Sequence, residues 1–227
     1  MFRAIKQQVK RQLYAARGLR AEIALPLETV NPGDQAWTVA AGTLRPGNIV
    51  YSLGLAENIE FDLNLIRDHD VELHGFDPTP ASVEWIRSQV LPAGFHHHPV
   101  AVAGHDGTLE FSLPEPGTGM CASAHLAASA GTVQVPCKRI STIMTELGHD
   151  RIDLLKMDIE GTEYEVLEEI LGNQLRIRQI LVEFHHRFPG IGMKKTLDAV
   201  AALRRAGYQL FHVSPWCEEY AFLKRPS

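Results

Sequence analysis

A buried strand that ends on two acids and a glycine constrains this chain more than any other feature. From Arg151 the sequence reads RIDLLKMDIEGTEYEVLEEIL. Ile152 to Met157 is a near-continuous apolar run, the pattern of a parallel strand covered on both faces. Asp158-Ile159-Glu160-Gly161 follows directly, and then Val166, Leu167, Ile170 and Leu171 recur at helical spacing. Thr162 and Glu165 stand at the spacing of a capping box, and Gly172 offers a left-handed stop. The strand therefore delivers two carboxylates to a tight turn, and the chain leaves by a helix. In open parallel sheets ligands bind beyond the carboxyl ends of the strands. Asp158 and Glu160 are expected to face such a site.

Around this unit the same alternation repeats. Residues 48–53, 71–76 and 179–184 read as apolar strands, and residues 58–67 and 194–206 as helices, with Gly207 as the last one's stop. Thr79 is placed to cap another helix, with Pro80 at its first position. Residues 95–103 read as a strand, Asp106-Gly107 as a hairpin turn into 108–113, 133–136 as a brief extended piece and 141–147 as a short helix. Residues 114–119 read as a loop, and 120–131 carry no readable pattern. Residues 208–213 and 220–223 read as a closing antiparallel pair. Alternating strands and helices imply an α/β domain with a mostly parallel sheet.

The first 25 residues form a separate arm, and residues 26–227 the body. Arg3, Lys6, Lys10, Arg11, Arg17 and Arg20 precede the first acid, Glu22, while Phe2, Ile5, Val9, Leu13 and Ala16 keep helical spacing. Three readings of this arm stay open: a seam buried on its own domain or on a second subunit of a homo-oligomer, a peripheral membrane contact, or a targeting peptide. Pro26 and Asn31-Pro32-Gly33-Asp34 separate the arm from the body. A net charge of −5 argues against a nucleic-acid partner. Cys121, Cys137 and Cys217 form no CxxC pair, so neither a disulfide framework nor a cysteine zinc site is expected, and a cytoplasmic setting fits.

Two further stretches bear on ligand binding. In Tyr51-Ser52-Leu53-Gly54-Leu55-Ala56-Glu57-Asn58 a lone glycine joins strand to helix, where backbone can approach a ligand. It is not GxGxxG, and an ordinary turn explains it as well. Asp77, ending the next strand before Pro78, stands where a ribose-binding carboxylate belongs, although an aspartate before proline also simply makes a turn. Together they suggest an adenosine cofactor, either a nicotinamide or S-adenosyl-L-methionine.

IDLLKMDIEGTEYEVL resembles the signature of the FkbM family of S-adenosylmethionine-dependent methyltransferases, with Lys156, Asp158, Glu160, Gly161 and Glu163 as its core. VYSLGLAENIEFD, HGFDPTP and LVEFHHRF also resemble segments of that family. The resemblance implies a class I methyltransferase (Rossmann-like) fold. That is a mostly parallel seven-stranded sheet with helices on both faces and an antiparallel last strand. It implies O-methylation of a hydroxyl on a sugar, glycan or other small molecule. Ser52, Gly54, Glu57, Asp77 and Pro78 would then border the cofactor. In this sequence Ser52 stands where many relatives carry an acid, and the loop is reshaped around Glu57 and Asn58.

A hydroxyl acceptor benefits from a general base. The candidates are Asp158, which ends the central strand, His185 and His186, with Glu160 orienting the base or binding acceptor hydroxyls. Adjacent residues in extended chain point to opposite faces, so one of the two histidines is expected to face the pocket. His96-His97-His98 cannot converge on one ion for the same reason. No metal ligand set is assigned; a Mg2+ on Asp158, Glu160 or Glu183 is compatible with the sequence but not required by it. The competing functions are an NAD(P)-linked oxidoreductase and a non-catalytic binding subunit of the same fold.

Overall fold

The computed structural model describes residues 2–31, 36–113 and 131–225. The expected turn at residues 31–34, the loop at 114–119 and the stretch 120–131, with Cys121, fall largely or wholly outside them. The elements are α1 (Phe2–Ala16), β1 (Leu27–Val30), β2 (Trp37–Ala40), β3 (Ile49–Leu53), α2 (Glu60–His69), β4 (Glu72–Phe76), α3 (Pro80–Arg87), β5 (Phe95–His98) and β6 (Ala101–Val102). They continue with β7 (Gly107–Ser112), β8 (Thr132–Lys138), α4 (Ile140–Leu147), β9 (Ile152–Met157), α5 (Glu163–Gly172), β10 (Ile177–Glu183), α6 (Gly192–Arg205), β11 (Tyr208–Val213) and β12 (Glu219–Lys224).

Seven strands make one sheet in the order β11-β12-β10-β9-β3-β4-β5. Strands β5, β4, β3, β9 and β10 pair in parallel, and β12 runs antiparallel to both β10 and β11. This is the class I arrangement, with the last strand as the antiparallel one. The central strands are covered on both faces and mostly apolar, although Ser52, Asp153, Lys156 and Gln179 are buried with them. Tyr51, Leu53, Leu155, Met157, Ile180 and Val182 pack against α4, α5 and α6. Val50, Leu154 and Leu181 turn the other way, into a second cluster with Trp37 and Val39 of β2, Phe61 and Leu65 of α2 and Ile86 of α3. Each such side chain contributes about 1.5–3 kcal/mol by leaving water.

The irregular middle differs from its sequence reading. Pro99 lies between β5 and β6, so the stretch 95–103 does not run as one strand. β6 leaves the main sheet and pairs with β8, which also pairs with β7. The strands on either side of Asp106-Gly107 are therefore not a hairpin; β8 stands between them. Asp106 instead accepts hydrogen bonds from Arg139 and Thr142. The pair β1–β2 had no clear sequence signal, since Leu27–Val30 is short and half polar.

The arm is helical, but its apolar stripe does not pack on its own domain. Ile5, Val9 and Leu13 are 50%, 50% and 58% exposed. The polar side holds the helix down: Lys10 donates to Glu218 at 3.0 Å, and the Tyr14 hydroxyl shares a 2.8 Å hydrogen bond with His186 Nε2. Among the described residues no helix is long and apolar enough to cross a membrane.

Beneath the sheet edge lies an unusual polar core. The Lys156 ammonium donates to the Gly54 carbonyl at 2.7 Å. Asp62 is buried, which raises its pKa to about 6 against the charge of Lys156 and the Ser52 hydroxyl. Because the folded value exceeds the unfolded one, this group's contribution is full at low pH and lost as pH rises through about 6. Asp62→Asn is therefore expected to change the pH dependence of stability, by up to about 3 kcal/mol between pH 4 and 7. Urea unfolding of both proteins across that range tests this, and parallel stability curves would refute it.

Candidate active site

Strand register builds the site. Leu53 stands level with Phe76 on one side and Met157 on the other, and Met157 is level with Val182. One residue further along, Asp77, Gly54, Asp158 and Glu183 form a row across the carboxyl edge. At the usual strand spacing of about 4.8 Å, Asp77 and Asp158 are on the order of 10 Å apart, with Gly54 between them.

The turn after β3 is shaped from both sides. Gly54 has φ +78°, and a Cβ there would fall 1.7 Å from the Asp158 carbonyl oxygen. The close approach that requires this glycine is thus to the neighbouring backbone. Asp77 Oδ2 accepts the Leu55 and Ala56 amides at 3.1 and 2.8 Å, and Oδ1 accepts the Thr79 amide and hydroxyl at 2.9 and 2.6 Å. These donors engage the acceptor sites a carboxylate offers. The structure therefore gives Asp77 a first task that the sequence did not suggest, holding the glycine turn. Thr79 spends its hydroxyl on Asp77, and α3 has no side-chain cap, though Pro80 does open it. The Ser52 side chain is fully buried beneath the turn. Glu57 is exposed and Pro78 half-buried at the rim.

The turn after β9 places two residues in the left-handed region, Glu160 (φ +55°) and Gly161 (φ +111°). Glu163 makes this possible. It is fully buried, and its Oε1 accepts the Ile159 and Gly161 amides at 3.2 and 3.1 Å. The capping box expected from Thr162 and Glu165 does not form: α5 has no side-chain cap, and the Thr162 hydroxyl donates to the Ile159 carbonyl. Gly172 ends α5 without a left-handed turn; Gln174 takes that conformation.

Glu163 Oε1 also accepts His185 Nδ1–H at 2.7 Å. The His185 ring is 2% exposed, and its Nε2 faces Glu160 at 3.4 Å, Glu183 at 3.7 Å and Asp158 at 3.8 Å. Burial alone would lower its pKa, but the hydrogen bond and charge of Glu163, with Glu160 and Asp158, raise it to about 9. Burial, then the Asp158 charge, lifts Glu183 to about 7, opposed by His185 and Arg187. A buried imidazole among carboxylates thus collects positive charge. His186 turns the other way, to Tyr14, and burial lowers its pKa to about 4. The alternation expected of these two histidines is observed.

Asp158, Glu160 and His185 therefore meet, while Gly54, Glu57, Asp77 and Pro78 form the adjoining rim. The sequence reading gave no role to Glu163 or Lys156, and it weighed Glu183 only as an ion ligand. The register of β10 against β9 is the signal that finds Glu183. The three histidines of 96–98 diverge: His96 bonds Glu72, His97 the Asp77 carbonyl and His98 the His74 ring.

Comparison with known proteins supplies the family. Over 174 residues the chain is 27% identical to the probable methyltransferase-like protein 24 of Rattus norvegicus and 26% identical to that of Homo sapiens. The match covers 72% of this chain but 42% of each relative, so the chain spans well under half of their length. Among solved structures, the Methanococcus jannaschii fibrillarin pre-rRNA processing protein aligns with a TM-score of 0.50 at 8% identity, over 88% of this chain and 84% of that one. That is a likeness of fold. The model of the methyltransferase FkbM domain matches residues 54–210, from the glycine turn into β11. With most of its length matched, the chain belongs to the FkbM methyltransferase domain family.

Proposed function

We propose that this protein transfers a methyl group from S-adenosylmethionine to a hydroxyl oxygen of a sugar, glycan or other small acceptor. The observation that carries this reading is the row Asp77–Gly54–Asp158–Glu183, which sets a shaped turn beside a cluster of acids. The residues fit the donor's chemistry, because carboxylates at the edge favour a cationic ligand. Bound S-adenosylmethionine supplies a methyl group carried on a positively charged sulfur. Glu57 and Pro78 would border it at the rim. Ribose hydroxyls would reach Asp77 by displacing the Thr79 hydroxyl, leaving the Leu55 and Ala56 amides in place.

Asp158 is the residue we assign to the acceptor. Its side chain is 32% exposed at the end of the central strand, and its backbone N–H is held by the Leu53 carbonyl of β3. The Asp158 carboxylate would accept the hydroxyl proton as that oxygen takes up the methyl group. Holding the oxygen in line with the methyl carbon removes several kcal/mol, about 7–11 in the most favourable oriented systems. Glu163 keeps the 159–161 turn in place while this happens.

Incubation with methyl-labelled S-adenosylmethionine and panels of glycans and small alcohols tests the proposal. The expected product carries label in an alkali-stable ether. Label recovered only in alkali-labile esters, or only on nitrogen, would refute a hydroxyl acceptor.

A further inference from the structure

We propose that Asp158, Glu183 and His185 form a site for one divalent metal cation beside the acceptor position. One ligand atom from each of these side chains lies within 4.8 Å of the other two, and no other such group occurs among the described residues. His185 Nε2 is 3.8 Å from Asp158 Oδ1 and 3.7 Å from Glu183 Oε1. These gaps are too wide for direct hydrogen bonds of about 2.7–3.2 Å. They suit donors sharing an ion: ligands held about 2.0–2.2 Å from a metal sit roughly 3 Å or more from each other.

The imidazole separates this cluster from a simple patch of acids. It is 2% exposed, yet it turns Nε2 into the gap, 3.4 Å from Glu160 as well; the ion would bind this nitrogen by displacing its proton to solvent. Its other nitrogen is committed to Glu163, whose carboxylate is itself pinned by two backbone amides. A carboxylate behind a histidine is the usual brace of a metal-binding imidazole, fixing its tautomer and aiming Nε2. Asp158 follows β9 and Glu183 ends β10, so strand register sets the spacing before any ion arrives.

Two carboxylates and one imidazole suit Mn2+ or Zn2+, and Mg2+ less well because it prefers oxygen alone. Three protein ligands leave positions open for water or for the acceptor oxygen, whose proton the ion would loosen and the Asp158 oxygen not bound to the ion would take. That last role rests on the transfer reading above; binding of the ion does not. Arg187 opposes the ion, because its guanidinium stands 3.1 Å from Glu183 Oε1 and competes for that oxygen.

Titration of the full chain with Mn2+, followed by loss of the free-ion electron paramagnetic resonance signal, tests the site. One tightly held ion per chain is expected. Asp158→Asn and Glu183→Gln should each weaken binding at least tenfold while the variants keep the native circular dichroism spectrum. Glu163→Gln, which never touches the ion, should weaken it roughly 10–100-fold. Arg187→Gln should tighten it several-fold, a gain that general destabilisation would not produce. Absence of bound Mn2+, or affinity in the Asp158 and Glu183 variants equal to that of the unaltered chain, would overturn the proposal. Calorimetry with S-adenosylhomocysteine separates the two readings. Cofactor binding without ion binding ends the metal site alone, whereas ion binding without any methyl transfer ends the transfer reading alone.

Discussion

Gly54→Ala is expected to remove several kcal/mol of stability and to lower the melting temperature by roughly 10 °C or more. The added Cβ would lie 1.7 Å from the Asp158 carbonyl oxygen and 2.8 Å from its carbon, and both are backbone atoms of the central strand end. Neither can rotate aside as a side chain could. The left-handed conformation adds its own cost for any residue but glycine, about 1–3 kcal/mol, and overpacking adds a further 1–3 or so. Relief would require β3 and β9 to part, breaking the Asp158 N–H bond to the Leu53 carbonyl. Gly47→Ala is the control: φ is +72°, but nothing lies within 4 Å of the point its methyl group would occupy. It should show the conformational cost alone. Thermal melts of the two variants check this, and equal losses would mean that the contact with Asp158 is not what demands the glycine.

Asp158→Asn is expected to lower turnover by about 10²–10⁴-fold, the range a positioned general base supplies. The amide fills the same space at the end of β9 but no longer takes a proton. Because the backbone contacts of this residue, not its side chain, support the glycine turn, affinity for S-adenosylhomocysteine should stay within about threefold, a change under 1 kcal/mol. Single-turnover rates and calorimetry measure the two effects separately. Unchanged turnover would move the proton acceptor to another residue of the cluster.

The sequence exposed the parts of this site that obey short-range rules. The central strand could be read because burial on both faces leaves no room for alternation, and His185 and His186, though they lie just past the end of β10, still point apart. Gly54 was visible as a turn, but not its reason, since the Asp158 carbonyl that it meets lies on a distant strand. Glu163 was hidden in another way. An acid in the first turn of a helix is ordinarily explained by the helix dipole, and nothing local shows that it bends back to hold a turn and a histidine together. The amphipathic spacing of α1 was equally clear, yet spacing does not say which face will meet the body. Lys10 and Tyr14 decided that, by finding Glu218 and His186. Residues 95–103 were read as one strand because pattern outweighed Pro99.

The row of edge residues around the glycine turn has one decisive test, heat unfolding with S-adenosylhomocysteine or NADPH added separately. A ligand at a hundred times its Kd stabilises the folded chain by about 2.7 kcal/mol, so S-adenosylhomocysteine should raise the melting temperature by several degrees and NADPH should leave it unchanged. Stabilisation by NADPH with none from S-adenosylhomocysteine would contradict the assignment of this edge to a methyl donor.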